Sequence, residues 1–235
     1  MARKPRSAGF FATWTPAMAY VLGYWWADGT MYIKPSNQAH EIRIASNDYD
    51  HLVQIASMVA ETYDIRKVAP HTKTYVITWC SKMMYQDLEQ LGGTPRKSLT
   101  IGFPPVPAPL LAHFVRGAID GDGTLVWNGS RPVIQLYSGS SNFLRALGAA
   151  VADATGIPSP EVATNRDNWY VKWSTIRAKC LAIWLYHEHQ GLALERKAAL
   201  ARQFIDWQPK KRPNQGTITE AMQMRFAAYL PPSGA

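Results

Sequence analysis

Two aspartates carry the most promising chemistry in this chain. Asp28 lies in the run Val21-Leu-Gly-Tyr-Trp-Trp-Ala-Asp28-Gly29-Thr30, and Asp122 lies in Val115-Arg-Gly-Ala-Ile-Asp-Gly-Asp122-Gly123-Thr124. The runs align at an offset of 94 residues throughout, pairing Gly23 with Gly117, Asp28 with Asp122 and Gly29 with Gly123. Each run reads as a helix that ends at Asp-Gly. A carboxylate there faces the negative end of the helix dipole, which is unfavourable by about 0.3–1 kcal/mol. If the two helices pair in parallel, the carboxylates also repel each other. A divalent cation relieves both effects. Carboxylate oxygens suit Mg²⁺, with waters and phosphate oxygens completing its shell. The alternative is that Asp-Gly marks only a turn. Two copies in one register, each with a glycine five residues earlier, weigh against that alternative.

The positioning elements follow from the same repeat. Thr15 and Pro16 read as an N-cap and a first-turn proline, and Pro109 precedes the second helix in the same way. Gly29 and Gly123 suit a left-handed position after the helix end. Gly23 and Gly117 sit inside the helices, where glycine is about 1 kcal/mol worse than alanine. Their use is close backbone approach, so the two helices are expected to pack along this small face. After the first run, the patterns predict strands near 30–34 and 41–46, a helix at 50–63, strands near 66–69 and 73–80, and a helix at 82–91. After the second come strands near 124–128 and 132–138, a helix at 141–155, strands near 161–164 and 168–174, and a helix at 176–188. A last helix, 194–206, closes the chain. The helices rest on spacings such as Leu52, Ile55, Val59 and Leu144, Leu147, Val151; the strands rest on alternation, with Ile42 and Ile44 opposing Glu41 and Arg43. The halves are residues 1–93 and 110–235, the second carrying the closing helix and a basic tail. Eight of the 18 residues from Gly92 to Pro109 are Gly or Pro, so 94–109 reads as a linker.

Composition narrows the class. The 235 residues hold 25 Lys+Arg and 17 Asp+Glu, a net charge of +8. The split is uneven, +1 over residues 1–93 and +7 over 94–235, part of it in Pro209-Lys210-Lys211-Arg212-Pro213. Such a balance suits a polyanion, nucleic acid or an anionic membrane surface, or simply solubility. With 47% hydrophobic and 18% charged residues the chain is globular. No apolar window is long enough to span a bilayer. The basic N-terminus lacks an apolar run and a cleavage site, so no secretion signal is expected and an intracellular setting is. Cys80 and Cys180 fit no zinc spacing; one disulfide is an alternative that a chain of this size does not need, and they read as two core thiols in a reducing compartment.

The repeated runs resemble the motifs of the LAGLIDADG homing endonucleases. Val115 to Gly123 is the stronger match. Val21 to Gly29 departs from it with Trp26 where an acidic residue is common and Trp25 where a smaller aliphatic is usual. Arg96-Lys97-Ser98-Leu99, Phe103-Pro104 and Leu194-Glu195-Arg196-Lys197 resemble the family as well. The resemblance implies an α+β fold of two pseudo-symmetric αββαββα halves. Their antiparallel sheets would form a DNA-binding saddle, packed through the paired motif helices. It implies site-specific hydrolysis of both DNA strands by a monomer on a long asymmetric target. It also implies Asp28 and Asp122 as metal ligands, with the carbonyls of Ala27 and Gly121 adding to the shell. Mg²⁺ would support cutting and Ca²⁺ binding alone. Lys97 and Lys197 match the lysines beside the scissile phosphates, with plain phosphate contact or solvent exposure as the alternative.

Base reading would fall to the outward strand faces, because an antiparallel ribbon fits the major groove. The candidates are Lys34, Gln38, Arg43, Arg66, Lys73, Arg131, Gln135, Tyr137, Asn165, Arg166, Asn168 and Lys172. For each one alone, a solvated strand face is an equal alternative. Trp79, Trp173 and Trp184 read as core rather than base-stacking platforms. His187 and His189 lack further metal ligands nearby, and Ser138 to Ser141 reads as a helix cap. A non-cleaving nucleic-acid-binding protein, an intron maturase or a transcription regulator, is the competing class. An intein-borne endonuclease is not expected, since splicing blocks and a terminal His-Asn are missing. A purely structural repeat leaves the paired carboxylates unexplained.

Overall fold

The computed structural model describes residues 9–61, 63–165, 168–187, 189, 191–209 and 218–230. The chain divides into two compact units, 1–121 and 122–235. Each holds one four-stranded antiparallel sheet. This is the expected α+β architecture of paired motif helices followed by ββαββα.

In the first unit, α1 (Pro16–Asp28) starts where Thr15 Oγ1 accepts the Met18 N–H at 3.1 Å, with Pro16 in the first turn. Every residue from Met18 to Trp26 is buried, so α1 is a core helix rather than an amphipathic one. The chain then passes straight into β1 (Gly29–Ile33). Gly29 is extended, with φ −90° and ψ 153°, so the expected left-handed position is not formed. The glycine is required by contact: a Cβ there would lie 2.2 Å from Cδ1 of Trp25. Gly123 likewise opens a strand, β5. The remaining elements are β2 (His40–Ser46), α2 (Tyr49–Val59), β3 (Asp64–Lys67), β4 (Tyr75–Cys80) and α3 (Lys82–Gln90). The sheet order is β1-β2-β4-β3. Met31, Ile42, Ile44, Ile77 and Trp79 form its buried face, covered by Leu52, Ile55 and Val59 of α2 and by Met84 and Leu88 of α3. α2 stops at Val59 rather than running to 63, because Ala60 turns extended (φ −150°) on the way into β3.

The segment after α3 is built into the unit. Trp26 Nε1 donates to the Gly102 carbonyl at 2.8 Å, and Lys97 to Leu99 form a short 3₁₀ turn. A second such turn at Ala108–Leu110 leads into α4 (Leu111–Asp122). Helices α1 and α4 touch backbone to backbone. A Cβ on Gly23 would fall 2.0 Å from the Phe114 carbonyl oxygen, and one on Gly117 would fall 2.1 Å from that of Tyr20.

The second unit repeats the plan with β5 (Gly123–Asn128), β6 (Arg131–Ser138), α5 (Ser141–Thr155), β7 (Ala163–Asn165), β8 (Asn168–Ser174) and α6 (Ile176–Tyr186). Its sheet order is β5-β6-β8-β7. Leu125, Ile134, Leu136, Val171 and Trp173 face the core with Leu144, Leu147 and Val151 of α5. Ser140 Oγ accepts the Phe143 N–H and caps α5. Trp79 and Trp173 are core residues as expected, while Trp184 is half-buried. α7 (Glu195–Asp206) is not the last helix: α8 (Glu220–Phe226) follows. Thr219 caps α8, Met222 and Phe226 are buried, and Ala221 lies against Gly156, whose left-handed φ of 74° ends α5. Seven residues are too few for an apolar period to stand out in sequence.

Candidate functional site

Both repeated aspartates are the last residues of their helices. Asp28 is half-buried and Asp122 exposed. In the first unit Gly121 stands close to the end of α1, so that a Cβ there would lie 2.5 Å from Cβ of Ala27 and 3.3 Å from Oδ2 of Asp28. A buried lysine serves the same place. Lys97, 4% exposed, donates from Nζ to the carbonyls of Trp26 at 2.6 Å and Ala27 at 3.3 Å, and lies 5.0 Å from the Trp25 ring centre. An ammonium at a helix C-terminus opposes the negative dipole end and satisfies carbonyls that the helix leaves open. In the second unit Lys197, 5% exposed, donates to the Gly123 carbonyl at 2.7 Å, on the residue after Asp122. Residues 100 apart in sequence thus bring a buried cation to each Asp-Gly junction.

The donor set at these junctions is hard oxygen: a carboxylate and helix-end carbonyls. Ala27 already accepts one hydrogen bond from Lys97, and a carbonyl has a second lone pair for a cation. Among the described residues no three His, Cys, Asp or Glu side chains converge. A cation here would therefore keep several waters, which suits Mg²⁺ and, with looser geometry, Ca²⁺. The residues present fit such an ion. His187 instead packs edge-on against Tyr229, with ring centres 4.9 Å apart, and His189 Nδ1 lies 2.7 Å from the Tyr186 carbonyl.

A buried polar chain stands beside the helix pair, and sequence reasoning missed it. The Tyr20 hydroxyl donates to Asp120 Oδ2 at 2.7 Å, and His51 Nε2 stands 2.8 Å from the same hydroxyl. Tyrosine has one proton to give, so His51 Nε2 is the donor in that contact. Arg116 lies over the Tyr20 ring and reaches His113 Nδ1 at 2.9 Å, which must then be the acceptor. Asp120 and Arg116 are each 1% exposed. Asp120 occupies the sixth place of the second run, where the first has Trp26. That mismatch was the available signal.

Strand registers sort the remaining candidates. In the first sheet Thr30, Arg43, Thr78 and Asp64 form one row across the face opposite the core, and Arg66 pairs with Val76 on the same face. Lys34 and Gln38 are exposed in the β1–β2 connection, and Lys73 is exposed before β4. In the second sheet Thr124, Gln135 and Lys172 form a row, as do Tyr137, Tyr170 and Ala163. Arg131 and the facing pair Asn165 and Asn168 share their side. Arg166 lies outside the described residues, as does Lys210 to Arg212 of the basic run.

Structural comparison finds the same fold in LAGLIDADG proteins. The homing endonuclease I-DmoI in complex with DNA and Ca is 16% identical with a TM-score of 0.58, the match covering 83% of this chain and 98% of that one. The LAGLIDADG meganuclease I-AabMI bound to uncleaved DNA is 10% identical with a TM-score of 0.56, covering 82% and 90%. The N-terminal LAGLIDADG domain of DUF199/WhiA is 13% identical with a TM-score of 0.51, covering 79% and 86%. No protein-family model and no curated protein sequence matches the chain.

Proposed function

We propose that this chain is a site-specific double-strand DNA endonuclease of the LAGLIDADG type, acting as a monomer with divalent metal. The reading rests on one observation above the rest: each repeated Asp-Gly junction has a buried lysine that donates to a backbone carbonyl within two residues of the aspartate. That is more than a turn signal requires. Asp28, Asp122 and the carbonyls of Ala27 and Gly121 would serve as ligands for divalent metal, which supplies Lewis-acid charge and activated water when bound. Lys97 and Lys197 keep a fixed positive charge at each junction, where a phosphate gains negative charge during hydrolysis. The outward strand faces, with Arg43, Arg66, Arg131, Gln135, Tyr137 and Lys172, would read a long asymmetric duplex. An intracellular, reducing setting suits the free thiols of Cys80 and Cys180.

A second reading, a nucleic-acid-binding protein that does not cut, is supported by the occurrence of the fold in DUF199/WhiA. One experiment separates the two. The purified chain is incubated with a randomised duplex library, first in Mg²⁺ and then in Ca²⁺. Cut ends in Mg²⁺ and retention without cutting in Ca²⁺ are expected. Asp28→Asn and Asp122→Asn should each abolish double-strand cutting and leave retention intact. Cutting of both strands at the wild-type rate by either variant overturns the assignment. Selective retention with no cutting in Mg²⁺ establishes the second reading.

A further inference from the structure

The outward faces of the two sheets carry their charge differently. On the first sheet Arg43 and Arg66 each follow an acidic residue by two positions on the same strand, and each is paired with it, Arg43 with Glu41 and Arg66 with Asp64. On the second sheet the described strand residues of that face include Arg131 and Lys172 but no Asp or Glu.

The arrangement around Glu41 is the more elaborate. Glu41 is 6% exposed although its register puts it on the outward face. Its carboxylate accepts from the Tyr32 hydroxyl and, at 2.6 Å, from Nη2 of Arg43. The guanidinium of Arg43 lies over the Tyr32 ring, 4.7 Å from its centre. Arg43 Nε is buried without a hydrogen-bond partner, while the side chain as a whole is 39% exposed. The Tyr32 hydrogen bond and then the charge of Arg43 hold the Glu41 carboxyl below its ordinary range, so the arrangement persists at neutral pH. Of the five guanidinium donors, one serves Glu41 and Nε is shut in. Three hydrogens remain, both of Nη1 and one of Nη2, enough for a fork built from the two Nη nitrogens.

Two features favour a base edge over a phosphate as the partner of that fork. Glu41 offsets the charge of Arg43, so the pair has little net attraction for a phosphate. Hydrogen-bond geometry is what survives, and guanine presents two adjacent major-groove acceptors, N7 and O6, that a guanidinium fork matches. A side chain already fixed by ring and carboxylate also loses little freedom on binding. We propose that Tyr32 and Glu41 are positioning residues that hold Arg43 end-on to one guanine of the bound duplex, making Arg43 a specificity determinant of the first sheet. This rests on the reading of the chain as a DNA-binding protein.

The test uses the full chain and a randomised duplex library in Ca²⁺, with bound pools sequenced. The wild type is expected to enrich guanine at one position. Arg43→Ala should lose about tenfold of that discrimination, confined to that position. Arg43→Lys should not restore it, since an ammonium lacks the fork. Glu41→Gln and Tyr32→Phe should weaken the preference at the same position without lowering affinity for unrelated competitor duplex, a separation that a general folding defect would not produce. Thermal melts accompany each variant, and Arg43→Lys, which keeps charge and stem, carries the test if another variant fails to fold. A wild-type base profile in Arg43→Ala and Arg43→Lys overturns the proposal. So does a loss spread over all positions and matched on competitor duplex, which marks a phosphate contact. A wild-type chain that enriches no sequence overturns the DNA reading itself, and this proposal with it.

Discussion

Tyr24 and Cys180 are acids that the fold keeps neutral. Burial raises the Tyr24 hydroxyl above its ordinary range, and the nearby charge of Asp28 adds to this. Burial pushes the Cys180 thiol up to about 12. For both, the folded value exceeds the unfolded one, so their contribution to stability is complete below the unfolded value and declines as pH rises above it. The unfolded values are roughly 8.5 for a thiol and 10 for a tyrosine. The urea midpoint should therefore fall as pH climbs past about 9, and Tyr24→Phe should flatten part of that fall. An unchanged slope in Tyr24→Phe would remove Tyr24 from the account. Thiol reactivity gives an independent check at neutral pH. Cys80 is exposed and Cys180 buried, so the native chain should react with one equivalent of a disulfide reagent at once. The second should react only on unfolding.

At the scale of elements, the contact between α1 and α4 makes a prediction whose sign is diagnostic. Helix propensity alone says that alanine at Gly23 or Gly117 stabilises by about 1 kcal/mol. The packing says otherwise, because each Cβ would fall on a backbone carbonyl of the other helix, 2.0 and 2.1 Å away. Backbone cannot swing aside as a side-chain tip can, and overpacking of this kind costs about 1–3 kcal/mol or more. Gly23→Ala and Gly117→Ala should each lower stability by about 2 kcal/mol in denaturant titrations. A gain would mean that the helices do not approach this closely. These glycines were legible in sequence because the repeat printed them twice, as it did both aspartates and the order of strands and helices. Gly29 was misread because Asp-Gly signals a turn locally, whereas what demands glycine there is the Trp25 ring, a contact that no local rule contains. The polar chain of His51, Tyr20 and Asp120 escaped for the same reason, since the mismatch of Asp120 with Trp26 marked one member and not its partners. Its members lie 31 and 100 residues apart, and only the fold brings them together. The helix α8 was too short to show a period.

At the scale of the whole molecule, a net charge of +8 is a poor guide until it is sorted by what each cation already touches. The split of +1 over residues 1–93 and +7 over 94–235 is matched on the sheets, where the first pairs its arginines with carboxylates and the second, among its described residues, does not. Affinity for duplex DNA falls with salt in proportion to the phosphates neutralised, about 0.9 in log–log slope for each. A cation that brings its own carboxylate contributes less to that slope than one that does not. Measured by fluorescence anisotropy on a duplex across a salt series in Ca²⁺, Arg131→Ala and Lys172→Ala should each reduce the slope by about 1. Arg66→Ala, which leaves Asp64 behind, should weaken binding through the uncovered negative charge, and Asp64→Asn with Arg66→Ala should return most of that loss. Arg43→Ala should change base preference more than slope. Equal slope changes for the second-sheet cations and for Arg43 would mean that both faces grip phosphate alike. The concentration of charge in the second half would then reflect solubility rather than a division between gripping and reading.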